Sequence, residues 1–335
     1  MLDIKLPKVI FGTSGLGNLY TAQPDEVKLS IVSECIKHST KPAVFDSAGK
    51  YGAGLALETL GKCLHQLEVD PADVVISNKL GWLRTELKTP EPTFEPGVWH
   101  DLKFDAVQKI SYDGILECYE QGNDLLNGYD AQLVSVHDPD EYLNGAATAI
   151  EKDKRYIDIL EAYRALAKLK KDGKVTAIGI GAKNWQTIEQ ITQHVKLDWV
   201  MIANSMTVHS HPRELVAFLK KLKQQGIDII NSAVFNGGFL TGSDHYNYQA
   251  VDRATHSSLY QWRDRFYQLC KEYNLKPAEV CVTFGLHAPG VKSIALNTTN
   301  PLRVADNIET AHVKIPIDFW RDMKDQQLIN QFYNI

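Results

Sequence analysis

The sequence predicts a single-domain α/β protein, a closed (β/α)8 TIM barrel. Three observations predict it: eight short β-branched runs spread along the chain, amphipathic segments between them, and no domain-boundary linker. A chain of 335 residues buries roughly three-quarters of its extended surface. That suffices for one barrel or two smaller domains, so length alone leaves both open.

Taken in order, the strand-like runs are Val9–Phe11, Ala43–Phe45, Val74–Ser77, Leu133–Val136, Val175–Ile180, Trp199–Ala203, Ile227–Ile230 and Lys292–Leu296. None alternates strictly between apolar and polar, as expected of parallel strands covered on both faces. Between them, Asp25–His38 follows Pro24 and lines up Val27, Ile31, Val32 and Cys35. Leu55–Leu67 repeats Leu57, Leu60 and Leu64. Ile157–Lys171 gathers Leu160, Tyr163, Leu166 and Leu169 ahead of Gly173, and Leu215–Lys223 is set off by Pro212 and Gly226. These starts and stops are helix punctuation. Two stretches, at about 81–107 and 236–254, are long. Loops of that length often cover a site, so each is a candidate lid or a surface decoration.

A doubly wound open sheet is the rival architecture. Its dinucleotide fingerprint orders the glycines as G-x-G-x-x-G after the first strand. Here the first strand runs into Gly12-Thr13-Ser14-Gly15-Leu16-Gly17, which is G-x-x-G-x-G, and Gly179-Ile180-Gly181 lacks the third glycine. The open sheet loses its main support, and one barrel over 1–335 is the expectation.

Composition excludes several classes. Hydrophobic residues make up 44%, charged residues 23%, and the net charge is −5, without the basic patch that nucleic acid requires. No run of eighteen apolar residues offers a membrane span, and the first residues carry no signal-peptide stretch. The five cysteines, Cys35, Cys63, Cys118, Cys270 and Cys281, lack paired spacing, which predicts buried reduced thiols and a cytoplasmic protein.

Barrel chemistry sits at the carboxyl ends of strands. Asp46 closes the second run, Lys79 follows the third and His137 closes the fourth, so three titratable groups fall on consecutive strands. Tyr51 lies just beyond, in the glycine-rich Gly49–Gly54 loop, which is flexible enough to bring a phenol over the mouth. Singly, Asp46 reads equally as a helix cap, Lys79 and Tyr51 as solvated loop residues, and His137 as a partner of a nearby carbonyl. Jointly they suit proton relay during hydride transfer at a C–O centre. An ammonium favours a phenolate, a carboxylate orients the ammonium, and an imidazole orients the reacting oxygen.

These residues resemble the aldo-keto reductases. Phe45-Asp46-Ser47-Ala48-Gly49-Lys50-Tyr51-Gly52 is similar to that family's F-D-T-A-x-x-Y-G, Ser77-Asn78-Lys79 to its lysine-bearing strand, and Val136-His137-Asp138-Pro139 to its histidine-bearing one. The likeness runs from Val9 to about Ile308. It implies a barrel that binds an extended nicotinamide dinucleotide. Tyr51 would be the base in oxidation, Lys79 would lower its pKa, Asp46 would pair with Lys79, and His137 would orient the substrate hydroxyl.

A closer likeness is to the branch that oxidises aldoses at C1, acting on D-threo-aldoses such as L-fucose, L-galactose or D-arabinose. It is carried by Tyr51–Gly54 with Leu60-Gly61, Ser111–Leu116, His137–Asp140, Val234–Leu240, and Lys314-Ile315-Pro316 with Phe319-Trp320. Pyridoxal dehydrogenases also look like this branch.

For the cofactor, the resemblance implies Gly12, Thr13, Asn184, Asn204, Ser232, Phe235, Asn297, Thr298, Arg303 and Asn307. The usual Ser-Asn after strand five reads Lys183-Asn184 here, Asn204 stands where glutamine is expected, and Ser232 where an aromatic often stacks, with Phe235 a candidate substitute. Asn297-Thr298 stands where NADPH-preferring members carry Lys-Ser. A lost charge-assisted contact to the 2′-phosphate implies NAD, with NADP possible through Arg303.

Trp82 and Trp99 could stack on a sugar ring or simply pack. His209-Ser210-His211 could be a metal pair or an ordinary helix entry before Pro212, and with no carboxylate cluster beside it no metal site is predicted. The reading is thus an NAD(P)-dependent dehydrogenase of a small-molecule sugar, giving a lactone. The alternatives are a dehydrogenase or reductase of pyridoxal or another small aldehyde, and a nucleotide-sensing regulatory subunit.

Overall fold

The structure, a computed structural model, describes residues 5–333. Eight parallel strands close into a barrel: β1 (Val9–Gly12), β2 (Ala43–Ala48), β3 (Val74–Leu80), β4 (Leu133–His137), β5 (Ala177–Ala182), β6 (Trp199–Ala203), β7 (Asp228–Ser232) and β8 (Val291–Leu296). Each strand pairs with its sequence neighbours, and β1 closes the ring onto β8. The eight predicted runs are the eight barrel strands. β2 and β3 run further than the runs suggested, carrying Asp46 and Lys79 inside the ladder, where Asp46 pairs with Ser77 and Ala48 with Lys79.

Strand periodicity builds the interior. Ile10, Val44, Val75, Leu133, Ala177, Trp199, Met201 and Ile230 fill the barrel as one apolar cluster. Because side chains alternate, residues two and four further along share that inward face. The parity that buries Val44 presents Asp46; that of Val75 presents Ser77 and Lys79; that of Leu133 presents Ser135 and His137. Gly179 is glycine because a Cβ there would meet the Trp199 ring at 2.3 Å. At Gly181 a Cβ would come within 3.0 Å of Lys79 Cδ. These two glycines, weak as a nucleotide fingerprint, make room for the barrel filling and for the lysine.

Helices cover the outside. α1 (Asp25–His38) and α2 (Leu55–Gln66) fall where predicted. α3 (Tyr112–Leu126) starts at Ser111, whose hydroxyl accepts from the Gly114 amide at 3.1 Å. The helix predicted from Ile157 already begins at Ala149, capped by Thr148, whose hydroxyl accepts from the Glu151 amide. Its first turns expose Ile150 and Ile157, so the apolar pattern did not mark the start. The strand–helix interface forms the larger core, and all five cysteines are buried and free. Among the described residues no helix is long and apolar enough to cross a membrane.

Both long stretches carry structure of their own. Trp82–Glu86 pairs antiparallel with Phe104–Gln108, and the connection folds back so that Leu19 bridges Trp99. In 236–254, a short helix at Phe239–Thr241 precedes a hairpin of His245–Tyr246 with Gln249–Ala250. Both lie against the carboxyl ends of the strands.

Candidate active site

Asp46, Lys79 and His137 reach the mouth from β2, β3 and β4 by the parity described above. Lys79 Nζ lies 2.5 Å from Asp46 Oδ2 and 3.1 Å from the Ser47 carbonyl, and the Ser77 hydroxyl donates to Asp46 Oδ1 at 3.2 Å. The ion pair is almost entirely out of water, with side chains 3% and 5% exposed.

Tyr51 comes over this pair by a close backbone crossing. A Cβ on Gly17 would stand 2.9 Å from the Tyr51 carbonyl group, and one on Gly52 would stand 2.3 Å from the Gly17 carbonyl oxygen; Gly52 also has φ +61°. Glycine at these two positions lets the loops after β1 and β2 touch and fixes where the phenol sits. Lys79 Nζ lies 4.7 Å from the Tyr51 ring centroid, and the His137 ring stands edge-on to Tyr51 at 5.5 Å. The structure thus brings Asp46, Tyr51, Lys79 and His137 together.

Their electrostatics differ from expectation in one respect. The Tyr51 phenol is held well above its ordinary pKa by burial, with Asp46, Tyr248 and Asp138 adding to the effect and Lys50 opposing it. Its lowering by Lys79 is therefore not a property of the protein alone, because that ammonium faces Asp46. Burial, with Lys79 and then Lys50, pushes the His137 imidazole well down. At neutral pH a neutral phenol faces a neutral imidazole, whose buried Nδ1 has no partner among the described residues.

Around this set lies a charged ring that sequence reasoning passed over. Lys50 Nζ is 2.7 Å from Glu95, 3.0 Å from Glu141 and 3.7 Å from Asp138. Lys183 pairs with the same Glu141 carboxylate and lies 3.8 Å from Asp138. Burial alone would lower the Lys50 ammonium, but Asp138, Glu95 and Glu141 outweigh it and raise its pKa. Lys50 and Asp138 stand inside quoted motifs, yet an Asp before Pro139 reads as a helix cap and a lysine in a glycine loop as solvated. Only the fold shows that both turn into the mouth.

The long stretches supply its walls. Trp99 packs on Tyr51 at 5.8 Å, its Nε1 donating to Glu95 at 2.7 Å. Trp82 lies tilted against Phe94 at 5.7 Å with the Lys50 ammonium 5.4 Å from its ring, and its buried Nε1 has no partner among the described residues. Tyr248 covers Lys183 from the other stretch, 5.4 Å from ring centroid to Nζ.

The residues proposed for the cofactor fall in separate places. Asn204 follows β6 with a left-handed φ of 59° and a buried Oδ1 that has no donor among the described residues. Beside it, Ser232 donates its hydroxyl to the Ile202 carbonyl at 3.4 Å, and Phe235 is partly buried against the core. Asn184 is instead the cap of the helix Trp185–Thr192: it is exposed, and its Oδ1 accepts from the Thr187 amide at 3.0 Å. Thr13 donates both its amide and its hydroxyl to the Asp46 carbonyl, each at 3.0 Å, tying Gly12–Thr13 to β2. Asn297 donates to Ser14 at 3.0 Å, and Thr298 accepts from the Asn300 amide. Arg303 and Asn307 line a surface cleft with Lys276, Glu279 and Asp306.

The two histidines of the H-x-H motif serve the fold. His209 Nδ1 bonds the Tyr246 hydroxyl at 2.8 Å, and buried His211 bridges the Thr207 carbonyl and the Asn330 amide.

Comparisons with known proteins place the chain in a family and a fold. The chain is 26% identical to a pyridoxal 4-dehydrogenase of Microbacterium luteolum, covering 95% of this chain and 93% of that one. It is 24% identical to a D-threo-aldose 1-dehydrogenase of a Pseudomonas species, covering 97% and 95%. A glycerol dehydrogenase of Gluconobacter oxydans shares the fold, with a TM-score of 0.71 at 16% identity over 100% of this chain and 97% of that one. So does a holo aldo-keto reductase of Bacillus halodurans, at a TM-score of 0.69 and 16% identity over 98% and 94%. The Aldo/keto reductase family model matches residues 8–327, and the chain belongs to that family of nicotinamide-dependent oxidoreductases.

Proposed function

We propose that the protein is an aldose 1-dehydrogenase, oxidising the anomeric carbon of a sugar to the lactone, with NAD favoured over NADP. The observation that carries the reading is Tyr51, set over the buried Lys79–Asp46 pair with His137 edge-on beside it.

The residues fit a nicotinamide dinucleotide. The orphaned Asn204 Oδ1 is an acceptor suited to an amide N–H, with Ser232 and Phe235 beside it. The rest of the molecule would lie along Gly12–Thr13, Asn297–Thr298, Arg303 and Asn307. When bound, this group supplies the two-electron carrier that accepts hydride from the carbon being oxidised. Tyr51 exchanges the proton on the reacting oxygen, Lys79 offers the phenolate a cation that Asp46 holds in place, and neutral His137 orients that oxygen. Trp99, packed on Tyr51 at 5.8 Å, shields the phenol on that side.

NAD preference rests on Asn297, which offers a 2′-phosphate no cation. A dehydrogenase of pyridoxal or another small aldehyde is the second reading, favoured by the 26% relative. Nucleotide sensing alone has no use for an assembled Tyr51, Lys79, Asp46 and His137. The test is a screen for formation of reduced nicotinamide with L-fucose, D-arabinose, L-galactose and pyridoxal. Turnover confined to pyridoxal would select the second reading.

A further inference from the structure

Asp138 directly follows His137 and precedes Pro139, the first residue of the short helix Pro139–Asn144. At that position an aspartate ordinarily accepts hydrogen bonds from the helix's first amides. This one makes no such bond and instead holds a left-handed backbone, with φ 46° and ψ 53°. Its amide donates to the Gly181 carbonyl at 2.9 Å, which fixes it across β4 and β5. Aspartate is among the few non-glycine residues that adopt that conformation readily.

The carboxylate turns into the mouth. Asp138 Oδ2 is 3.6 Å from His137 Nε2, 3.7 Å from Lys50 Nζ and 3.8 Å from Lys183 Nζ. All three distances exceed hydrogen-bond length. A residue only 8% exposed thus has acceptor oxygens that take no bond from the described residues, near two ammoniums that it shares with Glu95 and Glu141. With its side chain 11% exposed, the carboxylate is open at the mouth to a donor from outside, and it lies beside the imidazole that orients the reacting oxygen.

We propose that Asp138 accepts the hydrogen bond of a hydroxyl on the carbon next to the reacting carbon, and so selects α-hydroxy carbonyl compounds and their cyclic forms. The two oxygens of such a compound sit on adjacent carbons, about a hydrogen-bond length apart. One can meet Tyr51 and His137 while the other meets Asp138. Lys50 and Lys183 flank the carboxylate at 3.7 and 3.8 Å and keep it facing inward. The inference rests on the active-site reading above and adds a specificity residue to it. It favours aldoses over an aldehyde borne directly on an aromatic ring.

The test compares two small substrates that differ only in this hydroxyl, lactaldehyde and propanal, each reduced with reduced nicotinamide. The wild-type kcat/KM ratio favours lactaldehyde by at least about tenfold, the worth of a hydrogen bond to a charged group. In Asp138→Asn, which tolerates the left-handed backbone, and in Asp138→Gly, which adopts it freely, the ratio falls to within about threefold of unity, and further in the glycine variant. A ratio unchanged in both variants, including a parallel loss on both substrates, overturns the assignment. Wild-type turnover of both aldehydes without preference overturns the assignment alone. No turnover of either removes the active-site reading and the assignment with it.

Discussion

Lys79 Nζ sits 2.5 Å from Asp46 Oδ2, and the pair is almost entirely out of water. Both groups reach the mouth because β2 and β3 register Ala48 against Lys79, and Gly181 leaves space for the lysine stem. Removing one partner strands a buried charge, at a cost of about 3–5 kcal/mol. Lys79→Met is therefore expected to lower stability by about that amount in denaturant titration and to abolish turnover. Asp46→Asn with Lys79→Met regains much of the stability and none of the activity. Stability unchanged in the single variant would contradict the buried pair.

Tyr51→Phe keeps the ring that packs on Trp99 and removes the hydroxyl. A general acid–base group contributes roughly 10²–10⁴-fold, so kcat falls by at least that range while nucleotide affinity, read by fluorescence quenching, stays within about threefold. Because burial holds this phenol above its ordinary pKa, sugar oxidation, which needs the base form, speeds up as pH rises through the alkaline range. Reduction runs fastest where the phenol is protonated. Identical pH profiles in both directions would count against Tyr51 as the proton carrier.

Acid stability follows from buried imidazoles. Burial brings His211 down to about 4 from an ordinary 6.5, and its Nε2 must stay unprotonated to accept from the Asn330 amide. Below pH 6.5 the unfolded chain binds a proton that the folded chain refuses, so stability falls with pH until about 4. The loss amounts to about 3 kcal/mol. His137 adds a loss of the same sign. Thermal midpoints measured across that interval decline for the wild type and decline less steeply for His211→Gln. A parallel decline in both would show that His211 is not responsible.

Cofactor choice is checked by kcat/KM with NAD and with NADP. The wild type is expected to favour NAD, and Asn297→Lys, which restores a cation at that position, to improve NADP use by about tenfold or more. A tenfold wild-type preference for NADP would place the 2′-phosphate on Arg303 instead.

Much of the barrel was legible because parallel strands buried on both faces are continuous β-branched runs, and all eight announced themselves that way. Helix starts were less so: the helix from Ala149 begins with exposed Ile150 and a threonine cap, neither of which follows the apolar stripe. Asp46, Lys79 and His137 stood out as titratable groups at consecutive strand ends, with Tyr51 in the glycine-rich loop just beyond. The charged ring did not, because Lys50, Glu95, Asp138, Glu141 and Lys183 come from four separate segments with no spacing in common. Asn184 shows the opposite case, an asparagine at a plausible cofactor position whose side chain caps a helix. Gly52 was read as loop freedom and Gly17 as part of a failed nucleotide fingerprint. Their function is the backbone crossing that fixes Tyr51, a long-range contact that no local pattern encodes.

The most direct measurement of the central claim is formation of reduced nicotinamide from NAD by the wild type and by Tyr51→Phe, with L-fucose, D-arabinose, L-galactose and pyridoxal as substrates. The account predicts turnover of at least one aldose in preference to pyridoxal, lost in the variant. No oxidation of any aldose, or a Tyr51→Phe protein as active as the wild type, would contradict it.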